Sequence, residues 1–121
     1  MSKLNILIVE DEALVAEVVK IILTRLGYYV LDIASSGREA ILKAEEKRPH
    51  LILMDINLEG DMDGIEAAEK IFSMFDIPLI FMTANADHGT RKRADRIRHS
   101  GYLNKPFGDK QLKNALARAS A

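Results

Sequence analysis

Residues able to bind a charged ligand occur at four places in the chain, each at the end of a short apolar run. Glu10 and Asp11 follow the first run, Asp55 ends the second, Thr83 ends the third and Lys105 follows the fourth. Apolar runs of this length are typical of strands buried on both faces of a sheet. If the strands are parallel, their carboxyl ends meet at one edge, where ligands bind in open α/β sheets. The sequence therefore predicts that these five side chains lie together.

The chemistry expected of such a group is phosphoryl binding assisted by a metal ion. Carboxylates as close as those of Glu10, Asp11 and Asp55 would repel one another unless a cation joined them. Oxygen ligands with positions left for water and substrate suit Mg²⁺. Lys105 would add a positive charge and Thr83 a hydroxyl donor, and both suit a phosphoryl group.

Strand and helix patterns alternate five times along the 121 residues. This alternation predicts a single α/β domain, with five helices covering both faces of a doubly wound, five-stranded parallel sheet. We predict strands at 4–9, 29–34, 51–55, 79–83 and 101–103, and helices at 13–26, from Ser36 to before Pro49, at 64–75, at 88–100 and from Gly108 and Asp109 onward. The last helix could continue past Ala121, so a longer parent protein is left open.

Two of the predicted helices differ sharply in apolar content. The helix 13–26 has an apolar stripe that includes Leu14, Val18 and Ile22, and we expect this stripe to face the sheet. The helix 88–100 offers only Ala94 and Ile97 as inward residues, so we expect thin packing and low local stability.

Composition and charge exclude several classes of function. The formal net charge is −1, which gives no general attraction to nucleic acid or to an anionic membrane. The absence of cysteine excludes disulfides, thiolate catalysis and cysteine-ligated metals. The chain has neither the apolar stretch of a signal peptide nor a candidate membrane span, so we expect a cytoplasmic protein.

Five segments of the chain resemble the receiver domain of two-component response regulators. They are Ile6 to Glu12, Leu53 to Leu58, Asp63 to Glu66, Met82 to Ala84 and Gly101 to Phe107. The resemblance covers the whole chain, residues 1–121. It implies a flavodoxin-like (βα)5 fold with strand order 2-1-3-4-5.

The resemblance also implies how the acidic residues act. Asp55 would accept a phosphoryl group from a histidine kinase or a histidine phosphotransfer protein. Asp11 would bind Mg²⁺, Glu10 would act through metal-bound water, and the backbone carbonyl of Asn57 would complete the protein's share of the ligands. The acid pair is Glu10 and Asp11 where many relatives have two aspartates.

Other positions would bind the phosphoryl group and transmit the signal. By resemblance, Thr83 and the Ala84 amide contact the phosphoryl oxygens, Lys105 pairs with them, and Tyr102 is the aromatic switch. A cis peptide bond is expected between Lys105 and Pro106. Such a domain catalyses its own phosphorylation and hydrolysis, but its product is a conformational state rather than a released molecule. The downstream protein would bind the face formed by the 88–100 helix, the Tyr102 strand and the last helix.

That helix region is strongly basic. Its cations, set against the single acid Asp95, are Arg91, Lys92, Arg93, Arg96 and Arg98. They could serve either as a solvated surface or as a docking surface for an acidic partner.

Three other functions deserve comparison with the phosphoacceptor. The loop 55–66 nearly fits a calcium-binding EF-hand, but an EF-hand requires a helix before the loop, where this sequence predicts a strand. A flavin-binding module would need a phosphate-binding loop rich in Ser, Thr and Gly after the first strand, where this chain has three acids. A receiver-like scaffold that binds a partner without phosphorylation would not need Asp11, Asp55, Thr83 and Lys105 together.

Overall fold

A computed structural model describes residues 4–84, 87–99 and 101–119. Strands and helices alternate along these residues as the sequence predicts. The elements are β1 (Asn5–Val9), α1 (Ala13–Arg25), β2 (Tyr29–Ala34), α2 (Gly37–Lys47), β3 (Leu51–Asp55), α3 (Gly64–Met74), β4 (Leu79–Thr83), α4 (His88–Asp95), β5 (Tyr102–Asn104) and α5 (Asp109–Ala119). No helix in these ranges is long and apolar enough to span a bilayer.

The five strands form one parallel sheet in the order β2-β1-β3-β4-β5, which confirms the predicted architecture. Side chains alternate between two apolar layers because successive residues of a strand point to opposite faces. In β1, Leu7 and Val9 belong to the apolar layer that also contains residues of α2, α3 and α4, whereas Ile6 and Ile8 belong to the layer that contains residues of α1 and α5. All five residues of β3 and of β4 are buried, which explains their continuous apolar runs.

The inward face of α1 differs from the prediction. Val19, Ile22 and Leu23 are buried, but Leu14 and Val18 are 83% and 54% exposed. Most of the circumference of this helix is apolar, so spacing alone could not identify the stripe that faces the sheet. Leu14 and Val18 therefore form an apolar ridge on the surface of the protein.

The helix ends show which local signals fixed the boundaries. Gly27, with a φ of +94°, follows α1 and donates its N–H to Thr24, while Tyr28 donates to Leu23. This pattern is the Schellman motif, in which glycine readily takes the left-handed conformation. At the start of α2, the Ser36 side chain accepts from the Glu39 N–H and so caps the helix.

Helix α4 is shorter than predicted and thinly packed. It ends at Asp95 rather than continuing to residue 100; Ser100 itself lies outside the described residues. Ala94 is its one buried residue, and Ile97 packs partly against the same apolar layer, as expected. A helix with so small an apolar face gains little from burial, so its position depends mainly on polar contacts.

Candidate functional site

The sheet brings the predicted chemical residues to one edge. Asp55 ends β3 and lies beside Met82 of β4, while Thr83 ends β4 and lies beside Asn104 of β5. Lys105 comes next in the chain and donates its backbone N–H to the Thr83 carbonyl at 2.8 Å. Parallel pairing therefore produces the arrangement that the sequence predicted.

Three carboxylates form the centre of this edge. Oxygens of Glu10, Asp11 and Asp55 all lie within 4.8 Å of one another. Glu10 and Asp55 are buried and Asp11 is partly exposed, so the group opens to solvent on one side. Clustered oxygen donors with an open side fit Mg²⁺, which retains several water ligands in proteins. The chemistry of this donor set therefore agrees with the predicted metal.

Lys105 joins two of these carboxylates. Its Nζ donates to Glu10 Oε1 and lies 3.2 Å from Asp55 Oδ2. Burial raises the pKa of Glu10 to about 7, against the opposing effect of the hydrogen bond from Lys105. Burial alone would lower the pKa of Lys105, but the hydrogen bond to Glu10 and the charge of Asp55 raise it above its ordinary value. The ammonium group therefore stays charged between the two acids.

The loop after β3 holds the carboxylates through backbone donors. The Asn57 N–H donates to Asp55 Oδ1, and the Glu59 N–H donates to Asp11 Oδ2, both at 3.0 Å. The strand β3 precedes this loop, so the helix that an EF-hand requires is absent there. At the end of the loop, Asp63 and Glu66 form a complete capping box that starts α3.

Thr83 provides an unsatisfied polar group at the site. The residue is fully buried, and its Oγ1 has no hydrogen-bond partner within the described part of the chain. A buried hydroxyl without a partner costs roughly 1–3 kcal/mol, so its retention calls for an explanation. The neighbouring Ala84 is exposed and borders the site.

Tyr102 is held by side chains around α4. Its hydroxyl donates to Asp95 Oδ1 at 2.5 Å, and the Arg91 Cζ lies 4.1 Å from the centroid of its ring. His99 lies 3.0 Å from the same Asp95 oxygen and accepts the Gly101 N–H through Nδ1. The Tyr102 ring stacks on buried Phe81, with a centroid separation of 6.1 Å. The predicted switch residue is thus fixed to α4 on one side and to β4 on the other.

An apolar cleft of about 430 Å³ opens beside the carboxylates. One wall is the exposed ridge of α1, with Leu14 and Val18, and the other wall contains Lys105, Pro106 and Phe107. The peptide bond between Lys105 and Pro106 is cis, as expected. The cleft therefore reaches the residue that contacts Asp55.

Sequence reasoning missed three contributors to this region. Gly64 is tight against the Asp55 backbone, and Arg91 and Asp95 hold Tyr102. The Asp-Gly pair at 63 and 64 could have suggested a close backbone approach, since glycine has no Cβ. Nothing in the local sequence links Arg91 or Asp95 to Tyr102, because that contact depends on where α4 packs.

Comparisons with known proteins agree with this geometry. The family described as the response regulator receiver domain matches residues 6–117. A protein-glutamate methylesterase/protein-glutamine glutaminase of Archaeoglobus fulgidus is 34% identical over 107 residues, which cover 87% of this chain and 30% of that protein. This chain spans roughly a third to a half of the length of the curated relatives it matches.

Two solved structures are similar over nearly the whole chain. The receiver domain of a modulated diguanylate cyclase from Desulfovibrio desulfuricans has a TM-score of 0.92 and 38% identity, covering 98% of this chain and 94% of that chain. The receiver domain of a sensor histidine kinase from Pseudomonas aeruginosa has a TM-score of 0.87 and 31% identity, covering 99% and 100%. That structure has a magnesium ion coordinated in its active-site cleft.

Proposed function

The chain belongs to the response regulator receiver domains, the signalling domains of two-component systems, and on this basis we propose that Asp55 accepts a phosphoryl group from a phosphohistidine. The donor would be a histidine kinase or a histidine phosphotransfer protein. The observation that carries the proposal is the setting of Asp55: a carboxylate paired with Lys105 at 3.2 Å and grouped with Glu10 and Asp11.

The residues of the chain would position and neutralise the transferring group. An Asp55 oxygen forms a bond to phosphorus as the bond from phosphorus to the donor's imidazole nitrogen breaks, and the imidazole takes up a proton. Lys105 balances charge on the phosphoryl oxygens, and the Thr83 hydroxyl and the Ala84 amide donate hydrogen bonds to them. A carboxylate is a weak nucleophile, but phosphoryl transfer depends mainly on positioning and on charge neutralisation.

Mg²⁺ is the proposed cofactor. Asp11, Asp55 and the Asn57 carbonyl would hold it, with Glu10 acting through water, and it would supply positive charge to the phosphoryl oxygens. The close grouping of the three carboxylates supports this assignment.

The apolar cleft beside the site suits the donor protein. Phosphoryl transfer requires the donor's histidine to reach Asp55, so the donor must bind next to the site. The exposed residues Leu14, Val18 and Ile21 have the i, i+4, i+7 spacing of one helix face, which suits packing against a helix of the donor. The cleft is continuous with Lys105, which contacts Asp55.

Signal output would follow from movement of Thr83 and Tyr102. The buried Thr83 hydroxyl lacks a partner among the described residues and would gain one from the phosphoryl group. Its movement would leave space that Tyr102 fills, changing the face formed by α4, β5 and α5. A downstream protein would recognise that changed face.

The test is incubation with acetyl phosphate and Mg²⁺ followed by intact mass spectrometry. We expect a mass increase of one phosphoryl group that requires Mg²⁺ and disappears in Asp55→Asn, which keeps the shape of the side chain. Asp61→Asn is the matched control, because Asp61 lies in the same loop, is exposed and pairs with Arg38 rather than with the site. An adduct that persists in Asp55→Asn would place the chemistry elsewhere, and no adduct in the unaltered protein would favour the partner-binding scaffold.

A further inference from the structure

A concentrated cationic surface covers α4 and the residues directly after it. Five exposed side chains form this α4 cationic surface: Arg91, Lys92, Arg93, Arg96 and Arg98. Asp95, the one carboxylate between residues 88 and 99, already accepts from Tyr102 and lies within hydrogen-bonding distance of His99. Since the protein carries a formal net charge of −1, this positive field is local to one helix.

The cations are only weakly committed within the protein. Arg93 pairs with Asp63 at 3.0 Å and Arg98 with Asp76 at 2.9 Å, but both arginines and Asp76 are substantially exposed and Asp63 is partly exposed. Exposed ion pairs contribute little to stability and exchange partners readily. Lys92 and Arg96 make no side-chain ion pair with another residue that the structure describes. Their charges are therefore free for an external ligand.

Charge rather than apolar area must recognise the ligand of this surface. The one buried residue of α4, Ala94, faces the core, and the large exposed apolar side chains belong to other elements. Strong charge without exposed apolar area fits a polar, anionic partner.

We propose that the α4 cationic surface binds an acidic segment of a partner protein. An eight-residue helix spans only about 12 Å, which matches a short run of carboxylates. Duplex DNA carries a charge about every 1.7 Å of its axis and would extend past the helix onto nearby acids: Asp63 and Asp76, which pair with Arg93 and Arg98, and Glu69, which lines one pocket with Arg98. Those acids disfavour a long polyanion but leave room for a short acidic segment.

Arg91 connects this surface to the switch tyrosine. Its guanidinium lies over the ring of Tyr102, whose hydroxyl donates to Asp95. A partner carboxylate that engages Arg91 competes with the Tyr102 ring, so acidic-segment binding and the position of Tyr102 are coupled. This coupling rests on the proposed function, whereas binding by the unphosphorylated protein does not.

The binding test uses a fluorescein-labelled oligoglutamate peptide and fluorescence anisotropy at low salt. The unaltered protein should bind it, and the double charge reversal Lys92→Glu/Arg96→Glu should weaken binding by about tenfold or more. Lys20→Glu/Lys47→Glu, at exposed positions on α1 and α2 outside the face formed by α4, β5 and α5, is the matched control and should change affinity by less than about twofold. Circular dichroism melting verifies that each variant folds.

Amide NMR locates the bound peptide. Shifts should centre on residues 88–99 and extend to Tyr102. Equal affinity of Lys92→Glu/Arg96→Glu and the unaltered protein, or no peptide binding at all, would overturn the proposal. Tighter binding of a short DNA duplex than of the peptide would assign the surface to nucleic acid instead.

A separate measurement tests the coupling. Beryllofluoride, a stand-in for the phosphoryl group, should change peptide affinity in the unaltered protein but not in Asp55→Asn. If beryllofluoride shifts the amide signals around Asp55 but leaves the peptide affinity constant, the proposed coupling is wrong, and the proposal that the α4 cationic surface binds the peptide is unaffected. If it shifts no amides around Asp55, the phosphoacceptor proposal fails, while binding by the unmodified protein is judged by the peptide titration alone.

Discussion

Gly64 lies directly against the backbone of Asp55. A Cβ at position 64 would stand 2.0 Å from the Asp55 carbonyl oxygen and 2.9 Å from the Ile56 Cα. The Gly64 N–H also donates to the Ile56 carbonyl at 2.9 Å. The start of α3 is therefore fitted against the main chain of the proposed phosphoacceptor, and the fit depends on the missing side chain.

Gly64→Ala should destabilise the protein and disturb the site. The added methyl group meets backbone atoms, which cannot move aside as a flexible side chain could, so we expect a loss of about 2–3 kcal/mol in the free energy of unfolding. Gly89→Ala in α4 is the control, because its nearest contact would be 3.6 Å away. That change should be neutral or stabilising by up to about 1 kcal/mol. Urea unfolding measures both, and equal effects would contradict the close approach.

Mg²⁺ should stabilise the unmodified protein because it relieves repulsion among Glu10, Asp11 and Asp55. At a free concentration ten times its dissociation constant, the gain is about 1.4 kcal/mol. For a domain of this size that raises the melting temperature by roughly 4–7 °C. Asp11→Asn should lose the response to Mg²⁺. In chelator it should melt higher than the unaltered protein, because one repelling charge is gone while the amide oxygen still accepts from the Glu59 N–H. Identical melting with Mg²⁺ and with chelator would rule out the metal site.

Lys105→Met should leave two buried carboxylates without their shared cation. The Glu10 and Asp55 side chains are only 0% and 5% exposed, so in chelator we expect a loss of about 3 kcal/mol, part of which Mg²⁺ restores. Lys43→Met is the control: Lys43 joins Asp32 and Glu39 at more exposed positions, and its loss should stay within about 1 kcal/mol without a response to Mg²⁺. Equal losses in the two variants, measured by urea unfolding, would show that the Lys105 bridge contributes little.

The parallel sheet and the edge that carries the site were predictable from features that a sequence displays directly, whereas the order of the strands came only from the resemblance to receiver domains. Buried parallel strands are visible in a sequence as apolar runs, and the residue types at the carboxyl ends of these runs show which side chains could bind a ligand together. The prediction was wrong where several packings fit one pattern. In α1, apolar residues surround most of the helix, and the exposure of Leu14 and Val18 depends on how the helix is rotated against the sheet.

Helix α4 shows a second limit of sequence patterns. Residues 96–99 are as polar as the helix before them, so composition does not indicate an end at Asp95. The contacts of Tyr102 with Arg91 and Asp95 depend on tertiary placement in the same way. Since α4 buries little, its boundaries and neighbours are set by such polar contacts rather than by periodicity.

The Tyr102 hydroxyl should ionise at a higher pH than an ordinary tyrosine in an alkaline titration. Burial and the hydrogen bond to Asp95 raise the pKa of Tyr102 to about 12. A raised folded-state pKa means that the stability contribution is complete below the unfolded value of about 10 and is lost as pH rises towards 12. Asp95→Asn should lower the pKa of Tyr102, and Tyr102→Phe should remove the late transition. Phenolate absorbance follows both; an unchanged late transition in Tyr102→Phe would assign it to another tyrosine.

Thr83→Val should raise the stability of the protein and weaken the response of Tyr102 to a phosphoryl group at Asp55. The change replaces a buried hydroxyl that lacks a partner among the described residues with a methyl group of similar size, so we expect a gain of about 1 kcal/mol. The exposed Thr24→Val is the control and should stay within about 0.5 kcal/mol. Beryllofluoride should still bind at Asp55 in Thr83→Val, but its amide NMR shifts should no longer reach Tyr102. A less stable variant with shifts that still extend to Tyr102 would show that the hydroxyl serves the resting fold and not the signal.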